Sequence, residues 1–223
     1  MYMDNESRGT LIVTGGSRGI GAAVSRLAAA QGYSVAINFF RNDEAAAALT
    51  SQIKRSGGRC AAIRADVARE TDIQHLFAEA ETVLGPVTAL VNNAGITGGF
   101  ARVDAIETEM LQRLLAVNVT GTILCSREAV RRLSTKHGGG GGAIVNISSR
   151  AADLGSPGEC VHYAASKGAV NTFTVGLARE VAGEGIRVNA VAPGLVETDI
   201  HAAAGDPGRV AKRSEERRVG KEC

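Results

Sequence analysis

The sequence predicts a single α/β domain, a doubly wound parallel sheet of Rossmann type with helices on both faces. Three observations lead to this prediction. Short runs rich in valine, isoleucine and alanine alternate with helical segments, which is typical of buried parallel strands joined by helical crossovers. A glycine-rich turn joins the first strand to the first helix. The length of 223 residues suits one large domain, and no internal linker divides it.

The first unit consists of a strand, the turn and a helix. Residues 10–14 form a short apolar run, and residues 15–21 form the turn. A helix is predicted over residues 20–31, because apolar residues recur there at helical spacing along one stripe, namely Ile20, Ala23, Val24, Leu27 and Ala28. Gly32 fits the position just past the helix, where a left-handed backbone is common.

The same alternation continues to residue 191. A strand over 34–40 precedes an alanine-rich helix over 44–56, which Gly57 and Gly58 end. Two further strand–helix pairs are predicted over 60–65 with 71–84, and over 89–91 with a long helix from about 107 to 133. Residues 138–142 are predicted to be a flexible loop. A strand over 143–147, a helix over 161–184 and a strand over 187–191 complete the alternation.

Composition and charge exclude several classes of function. The net charge of +2 is too small to predict binding to nucleic acid or to an anionic membrane, and an aromatic share of 4% argues against base stacking. The first ten residues lack the apolar stretch of a secretion signal, and no apolar run approaches the roughly 20 residues of a membrane span. The four cysteines fit neither zinc-site nor redox-motif spacing. We therefore expect a cytoplasmic protein without a metal site.

The turn after the first strand, TGGSRGIG over residues 14–21, is typical of dinucleotide binding. Its first glycine allows a tight turn, the second lets the backbone approach a ligand, and the third lets the helix pack on the strand. Free N–H groups at the helix start attract a pyrophosphate. A merely structural turn is the alternative. The residues assigned to cofactor binding here are Gly15, Ser17, Arg18, Gly19, Ile20 and Gly21.

The spacing TGxxxGxG resembles the short-chain dehydrogenase/reductase family, and the resemblance extends from Leu11 to about Gly208. Among its members the chain is most similar to the branch of 3-oxoacyl-carrier-protein reductases and sugar dehydrogenases. The resemblance implies that Asn92 ties the sheet together. It also implies that several segments contact the cofactor: Asp66 and Val67 at the adenine, Asn93, Ala94 and Gly95 along its length, and Pro193, Gly194 and Thr198 at the nicotinamide carboxamide.

The end of the second strand predicts which cofactor is used. A site for NAD(H) has an acidic residue there for the ribose hydroxyl, whereas a site for NADP(H) has a cation for the 2′-phosphate. The sequence reads Asn38-Phe39-Phe40-Arg41, and the next acidic residue, Asp43, lies beyond the strand end. Arg18 and Arg41 can flank one phosphate, so we predict NADP(H). Two ordinary surface arginines are the alternative.

Tyr163 and Lys167 are four residues apart and lie on one face of the predicted helix. Such a pair suits acid–base chemistry, because a nearby ammonium and the positive ring of oxidised nicotinamide favour the phenolate of a tyrosine. The pair alone can occur by chance on an exposed face. Together with the other motifs it resembles the family's catalytic pair, which implies that Tyr163 is the acid/base and that Lys167 also binds the nicotinamide ribose.

Two further catalytic residues follow from the resemblance. The family's serine closes the fifth strand, and Ser149 matches it best, with a hydroxyl that would hold the substrate oxygen. Ser148 is a possible substitute, because the interval to Tyr163 is one residue longer than in many members. Asn118 matches the family's helix asparagine, which binds a water that relays protons to Lys167. An asparagine inside a helix is otherwise unfavourable, although a satisfied polar residue is the alternative.

The predicted activity is hydride transfer between NADP(H) and a carbonyl or secondary alcohol of a small-molecule substrate. The alternatives are a non-catalytic NADP(H)-binding regulator and an inactive fragment of such an enzyme. Residues 1–212 would form the catalytic domain, with its last helix and strand missing. Residues 213–223, RSEERRVGKEC, resemble the translation of a sequencing adapter, or else form a charged tail. The full-length protein is expected to be a homotetramer.

Overall fold

The computed structural model describes residues 8–198, 200 and 204–211. The domain boundary predicted at residue 212 and the tail predicted over 213–223 lie outside the described residues. Among the described helices, none has the length and hydropathy needed to cross a bilayer.

The described chain forms one sheet of six parallel strands, in the order β3-β2-β1-β4-β5-β6. The order reverses at β1, where Val13 pairs with Ile37 of β2 on one side and with Val91 of β4 on the other. Ligands of open α/β sheets bind at this point, outside the carboxyl ends of the strands. The predicted doubly wound fold is therefore confirmed. The strands are β1 Thr10–Val13, β2 Ser34–Phe39, β3 Cys60–Arg64, β4 Val87–Asn92, β5 Gly142–Ile147 and β6 Ile186–Val191.

Helices cover both faces of the sheet. On one face α1 and α2 enclose a cluster that includes Val13, Ile37 and Leu49, and on the other α3, α5 and α7 enclose a larger cluster around Phe77. Such burial on both faces explains why the strand sequences are continuously apolar. The helices are α1 Gly19–Ala30, α2 Asp43–Arg55, α3 Glu70–Leu84, α4 Thr108–Leu115, α5 Thr122–Leu133, α6 Ala151–Leu154 and α7 Val161–Glu180.

Three details of the predicted helices are wrong. The helix predicted over 107–133 is interrupted by a π-helical segment, Ala116–Gly121, where the turn is wider by one residue. The last helix ends at Glu180 and is followed by a 3₁₀ turn, Ala182–Glu184, because the buried Glu184 bonds to Ser134 and Lys136 in the loop before β5. The short helix α6 was not predicted at all.

The apolar stripe predicted for α1 is also partly wrong. Its buried face consists of Gly21, Ala22, Ser25 and Ala29, and Leu27 is 68% exposed. Small residues face the sheet because the glycine-rich turn brings the helix close to the strands: a Cβ on Gly21 would lie 2.3 Å from the Gly15 carbonyl oxygen. In the predicted glycine loop, Gly142 is already part of β5 and pairs with Ile186.

Candidate active site

Three polar side chains hold the glycine-rich turn in place. The Oδ1 of Asn38, on β2, accepts a bond from Gly15 N at 3.1 Å, and its carbonyl accepts one from Gly16 N at 2.8 Å. Asn93 Nδ2 donates to the carbonyls of Thr14 and Gly15 at 2.9 and 3.0 Å, and Thr14 Oγ1 accepts a bond from Asn93 N at 2.9 Å. The turn is therefore fixed by the ends of β2 and β4. Sequence reasoning identified the turn but missed the part played by Asn38.

The three motif glycines each occupy a place where a side chain would be crowded or the backbone strained. A Cβ on Gly15 would lie 3.0 Å from Ala94 Cα, and one on Gly19 would lie 3.3 Å from Thr198 Cγ2. Both residues have positive φ, +59° and +52°. A Cβ on Gly21 would meet the Gly15 carbonyl oxygen. These positions therefore require glycine.

A cleft of about 1120 Å³ opens at the carboxyl ends of β1 to β4, where the strand order reverses. Most of the predicted cofactor residues line it. Gly21 packs behind the turn instead, and Tyr163, Lys167, Pro193 and Gly194 lie outside the cleft wall. The Pro193 carbonyl accepts a bond from Arg150 N at 3.0 Å. The predicted residues in the wall are Gly15, Ser17, Arg18, Gly19, Ile20, Arg41, Asp66, Val67, Asn93, Ala94, Gly95 and Thr198.

Arg18 and Arg41 provide uncompensated positive charge at the cleft. Both side chains are exposed, and among the described residues neither guanidinium has a carboxylate within ion-pair distance. Arg41 Cζ lies 5.4 Å from the centre of the Phe40 ring, a cation–π distance that restrains its position. Both residues line the wall of the same cleft, where their side chains could bind an anionic group.

Arg113, on α4, is a residue of the cleft wall that sequence reasoning missed. It forms an ion pair with Asp66, with Nη1 2.9 Å from Oδ2 and Nη2 3.0 Å from Oδ1. Only the sheet order brings these two residues together, because they are 47 positions apart. The negative charge of Asp66 is therefore compensated by a cation within the protein.

The other end of the site is built around the ammonium of Lys167, on α7. The residue is 4% exposed, and Nζ donates to the Ile147 carbonyl at 2.7 Å. A Cβ on Gly95 would lie 3.5 Å from this nitrogen, so the ammonium lies beside a residue of the cleft wall. Burial lowers the pKa of Lys167 to about 8.

Tyr163 lies one turn before Lys167 on α7, and the lysine Nζ is 5.7 Å from the centre of its ring. Burial raises the pKa of Tyr163 above its ordinary value, and a hydrogen bond from Ser149 partly opposes this rise. The net direction is opposite to the lowering that sequence reasoning expects, because desolvation of the phenolate outweighs the other contributions. A further positive charge near the Tyr163 hydroxyl would be needed to lower the pKa of Tyr163 below its ordinary value.

The structure distinguishes the two candidate serines. Ser149 interacts with the Tyr163 side chain and accepts a bond from Ala151 N at 3.1 Å. Ser148 is buried, and its hydroxyl donates to the Lys167 carbonyl at 3.2 Å. Ser149 is thus the hydroxyl placed beside the tyrosine, and Ser148 supports the helix that carries it.

Asn118 lies in the π-helical segment and is fully buried. Its Oδ1 accepts a bond from Ile96 N at 2.9 Å, and its Nδ2 donates to Ile96 O at 2.8 Å and to Ser166 Oγ at 3.0 Å. Both amide hydrogens are therefore used within the protein. A water bound by this side chain would have to donate to Oδ1, which lies 3.4 Å from a Cβ placed on Gly95.

Two further groups stand near the catalytic residues. His162 is 4% exposed and lies near Gly98, and neither ring nitrogen has a hydrogen-bond partner among the described residues. Arg209 forms an ion pair with Glu159, and its Cζ lies 4.5 Å from the centre of the Phe100 ring. These contacts join three loops that follow β4, β5 and β6. Sequence reasoning did not identify Arg209.

Comparison with known proteins gives concordant matches. The family model for short chain dehydrogenase matches residues 9–207. The chain is 50% identical over 199 residues to the uncharacterized oxidoreductase YgfF of Escherichia coli strain K12, covering 89% of this chain and 81% of that protein. It is 38% identical over 189 residues to the 3-oxoacyl-[acyl-carrier-protein] reductase of Synechocystis, covering 85% and 74%. A Burkholderia cenocepacia short chain dehydrogenase solved with NADP matches with a TM-score of 0.85 and 34% identity, covering 96% and 83%.

Proposed function

Because the chain belongs to the short-chain dehydrogenase family, we propose that it is an NADP(H)-dependent oxidoreductase acting on a carbonyl or secondary alcohol of a small-molecule substrate. The observation that carries this proposal is the convergence of Ser149, Tyr163 and Lys167 at the end of a glycine-lined cleft. The similar Burkholderia structure contains NADP, which supports the choice of cofactor.

The residues of the cleft fit a dinucleotide with a 2′-phosphate. The turn carries no side chain at Gly15 and Gly19, so the backbone N–H groups at the start of α1 can approach a pyrophosphate. The first turn of α1 contains no acidic residue that would compete for these groups. Arg18 and Arg41 would bind the 2′-phosphate, since neither has a carboxylate partner among the described residues.

The catalytic residues would supply and orient one proton. When bound, the nicotinamide ring supplies the hydride in reduction and accepts it in oxidation. In reduction, the Tyr163 hydroxyl donates its proton to the substrate oxygen as negative charge develops there, while the Ser149 hydroxyl donates a hydrogen bond to the same oxygen. Lys167 favours the phenolate that remains, because its ammonium is close to the ring.

The proposal is tested by thermal unfolding of the purified chain with NADPH and with NADH. A ligand that binds only the folded state adds about 2.7 kcal/mol of stability at about 100 times its dissociation constant. NADPH should raise the unfolding temperature clearly and NADH should raise it little. Equal shifts with both cofactors would refute the NADP(H) preference, and no shift with either would refute the cofactor assignment.

A substrate screen on the same preparation tests the enzymatic part of the proposal. NADPH consumption with a panel of β-keto thioesters, sugars and small carbonyl compounds should identify a turned-over class, and Tyr163→Phe should abolish it. NADPH binding with no turnover of any compound would favour the non-catalytic regulator instead.

We further propose that residues 1–212 form one catalytic domain and that the protein assembles as a homotetramer in the cytoplasm. Leu115 and Ile123, on α4 and α5, are 41% and 39% exposed, and such apolar side chains could pack between copies. Light scattering coupled to size-exclusion chromatography measures the mass of the assembly. A monomer at all concentrations would contradict the proposal.

A further inference from the structure

Arg113, in the wall of the cleft, connects three elements. It projects from α4, pairs with Asp66 just after β3, and has its Cζ 5.6 Å from the centre of the Phe40 ring just after β2. All three residues line the cleft. The side chain of Arg113 is 38% exposed, whereas that of Asp66 is 8% exposed. One partly exposed cation therefore holds a nearly buried carboxylate.

The hydrogen bonds of Asp66 leave one acceptor position open. Its Oδ1 accepts bonds from Arg113 Nη2 and from Ala68 N, both at 3.0 Å, so both lone pairs of this oxygen are used. Its Oδ2 accepts only the bond from Arg113 Nη1, at 2.9 Å, among the contacts of the described residues. The two parallel bonds from the guanidinium, which form a fork, fix the plane of the carboxylate because they allow a single orientation.

We propose that Arg113 is a positioning residue for the adenine of the cofactor. It orients Asp66 so that the open position on Oδ2 accepts a hydrogen bond from the adenine amino group, which is a donor. It also restrains the Phe40 ring at the edge of the same space. This inference rests on the proposed NADP(H) function.

A positioning role at the adenine has a consequence that a phosphate-binding role lacks. NADPH and NADH share the adenine and differ only in the 2′-phosphate, so Arg113 should contribute equally to the binding of both. Arg41, which has no carboxylate partner among the described residues, should contribute to the binding of NADPH alone.

The experiment measures the Kd of NADPH and of NADH by fluorescence titration, for the unsubstituted chain, Arg113→Met, Arg113→Lys and Arg41→Met. Arg113→Met should raise both Kd values by about tenfold and leave their ratio unchanged, as expected for loss of one charge-assisted contact. Arg113→Lys should not restore affinity, because an ammonium cannot form the fork. Arg41→Met should raise the Kd of NADPH only. A change in the NADPH-to-NADH ratio with Arg113→Met, or unchanged affinities, would overturn the proposal.

A double-substitution cycle tests whether Arg113 acts through Asp66. In an Asp66→Asn background, Arg113→Met should weaken binding by less than about twofold, because the oriented carboxylate is already gone. Fully additive effects would overturn the positioning role. Circular dichroism monitors folding, and if Arg113→Met does not fold, Arg113→Lys is judged by the same criteria. Failure of the unsubstituted chain to bind either cofactor would overturn the proposed function and this inference with it, whereas normal binding by the variants would overturn the inference alone.

Discussion

The burial of Lys167 should make the stability of the fold depend on pH in the alkaline range, and Lys167→Met should remove this dependence. The residue is 4% exposed, and among the described residues its ammonium has no carboxylate within ion-pair distance. Its Nζ donates to the Ile147 carbonyl at 2.7 Å and lies 5.7 Å from the centre of the Tyr163 ring. Burial lowers its pKa from 10.5 to about 8.

The sign and size of the effect follow from these two pKa values. Below pH 8 both the folded and the unfolded chain carry the charge, and the folded state bears the desolvation cost in full. Between pH 8 and 10.5 the unfolded chain binds more protons than the folded chain, so the contribution of Lys167 to the free energy of unfolding rises with pH. A difference of about 2.5 between the pKa values corresponds to about 3 kcal/mol.

A comparison of variants isolates this contribution from other groups. Burial raises the pKa of the thiols of Cys60, Cys125 and Cys160, so these groups lower stability above about pH 9 and oppose the lysine. Urea denaturation followed by circular dichroism, at several pH values from 7 to 10, gives the free energy of unfolding. The stability of Lys167→Met relative to the unsubstituted chain should fall by about 2 to 3 kcal/mol between pH 8 and pH 10. Lys54→Met, at an exposed position on α2, is the control. A pH-independent difference for Lys167→Met would show that burial does not lower the pKa of Lys167.

Three further outcomes are expected. Tyr163→Phe removes the proton donor and should lower turnover by about 100-fold or more while the Kd of NADPH changes little; normal turnover would remove Tyr163 from the mechanism. Ser149→Ala should lower turnover by about tenfold or more and Ser148→Ala by much less, because only the first hydroxyl lies beside the tyrosine; the reverse order would exchange their roles. Gly21→Ala would place a Cβ 2.3 Å from a carbonyl oxygen of the turn and should cost about 1–3 kcal/mol of stability and weaken NADPH binding. Gly176→Ala in α7 is the control, because its Cβ would meet no atom within 4 Å, and it should add about 0.5–1 kcal/mol to the free energy of unfolding. Equal effects of the two glycine substitutions in urea denaturation would contradict the geometry.

Most of the fold could be predicted because local sequence marks the ends of its elements. Gly32 and Gly57, just after α1 and α2, have positive φ of +88° and +81°, as a helix end requires. The predicted helices were wrong where contacts between distant segments determine the local structure. A π-helical turn adds one residue to an otherwise helical period, and the four residues of α6 are too few to show a period. Leu27 was assigned to the buried face because hydrophobicity cannot reveal that small residues are required against the turn.

In the site too, pairs of residues close in sequence could be predicted, and pairs distant in sequence could not. Tyr163 and Lys167 could be paired from sequence because four residues make about one helical turn. Ser148 and Ser149 could not be separated by counting, since both precede the tyrosine at similar intervals, and only their contacts distinguish them. Arg113 could not be found, because its partner Asp66 is 47 residues away and meets it through the order of the strands.

The directions of the two pKa shifts at the catalytic pair bear on the reaction that the site performs. Burial raises the pKa of Tyr163 above its ordinary value, which favours the protonated phenol, and burial lowers the pKa of Lys167 to about 8. A protonated phenol is the form that reduction of a carbonyl requires, since it donates its proton as hydride arrives. Oxidation of an alcohol requires the phenolate, and the burial that raises the pKa works against that form. Oxidation should therefore depend on pH far more steeply than reduction, although the positive ring of an oxidised nicotinamide would offset part of this cost. Opposite pH profiles for the two directions, with reduction falling as the pH rises, are the expected result, and identical profiles would show that Tyr163 does not carry the transferred proton.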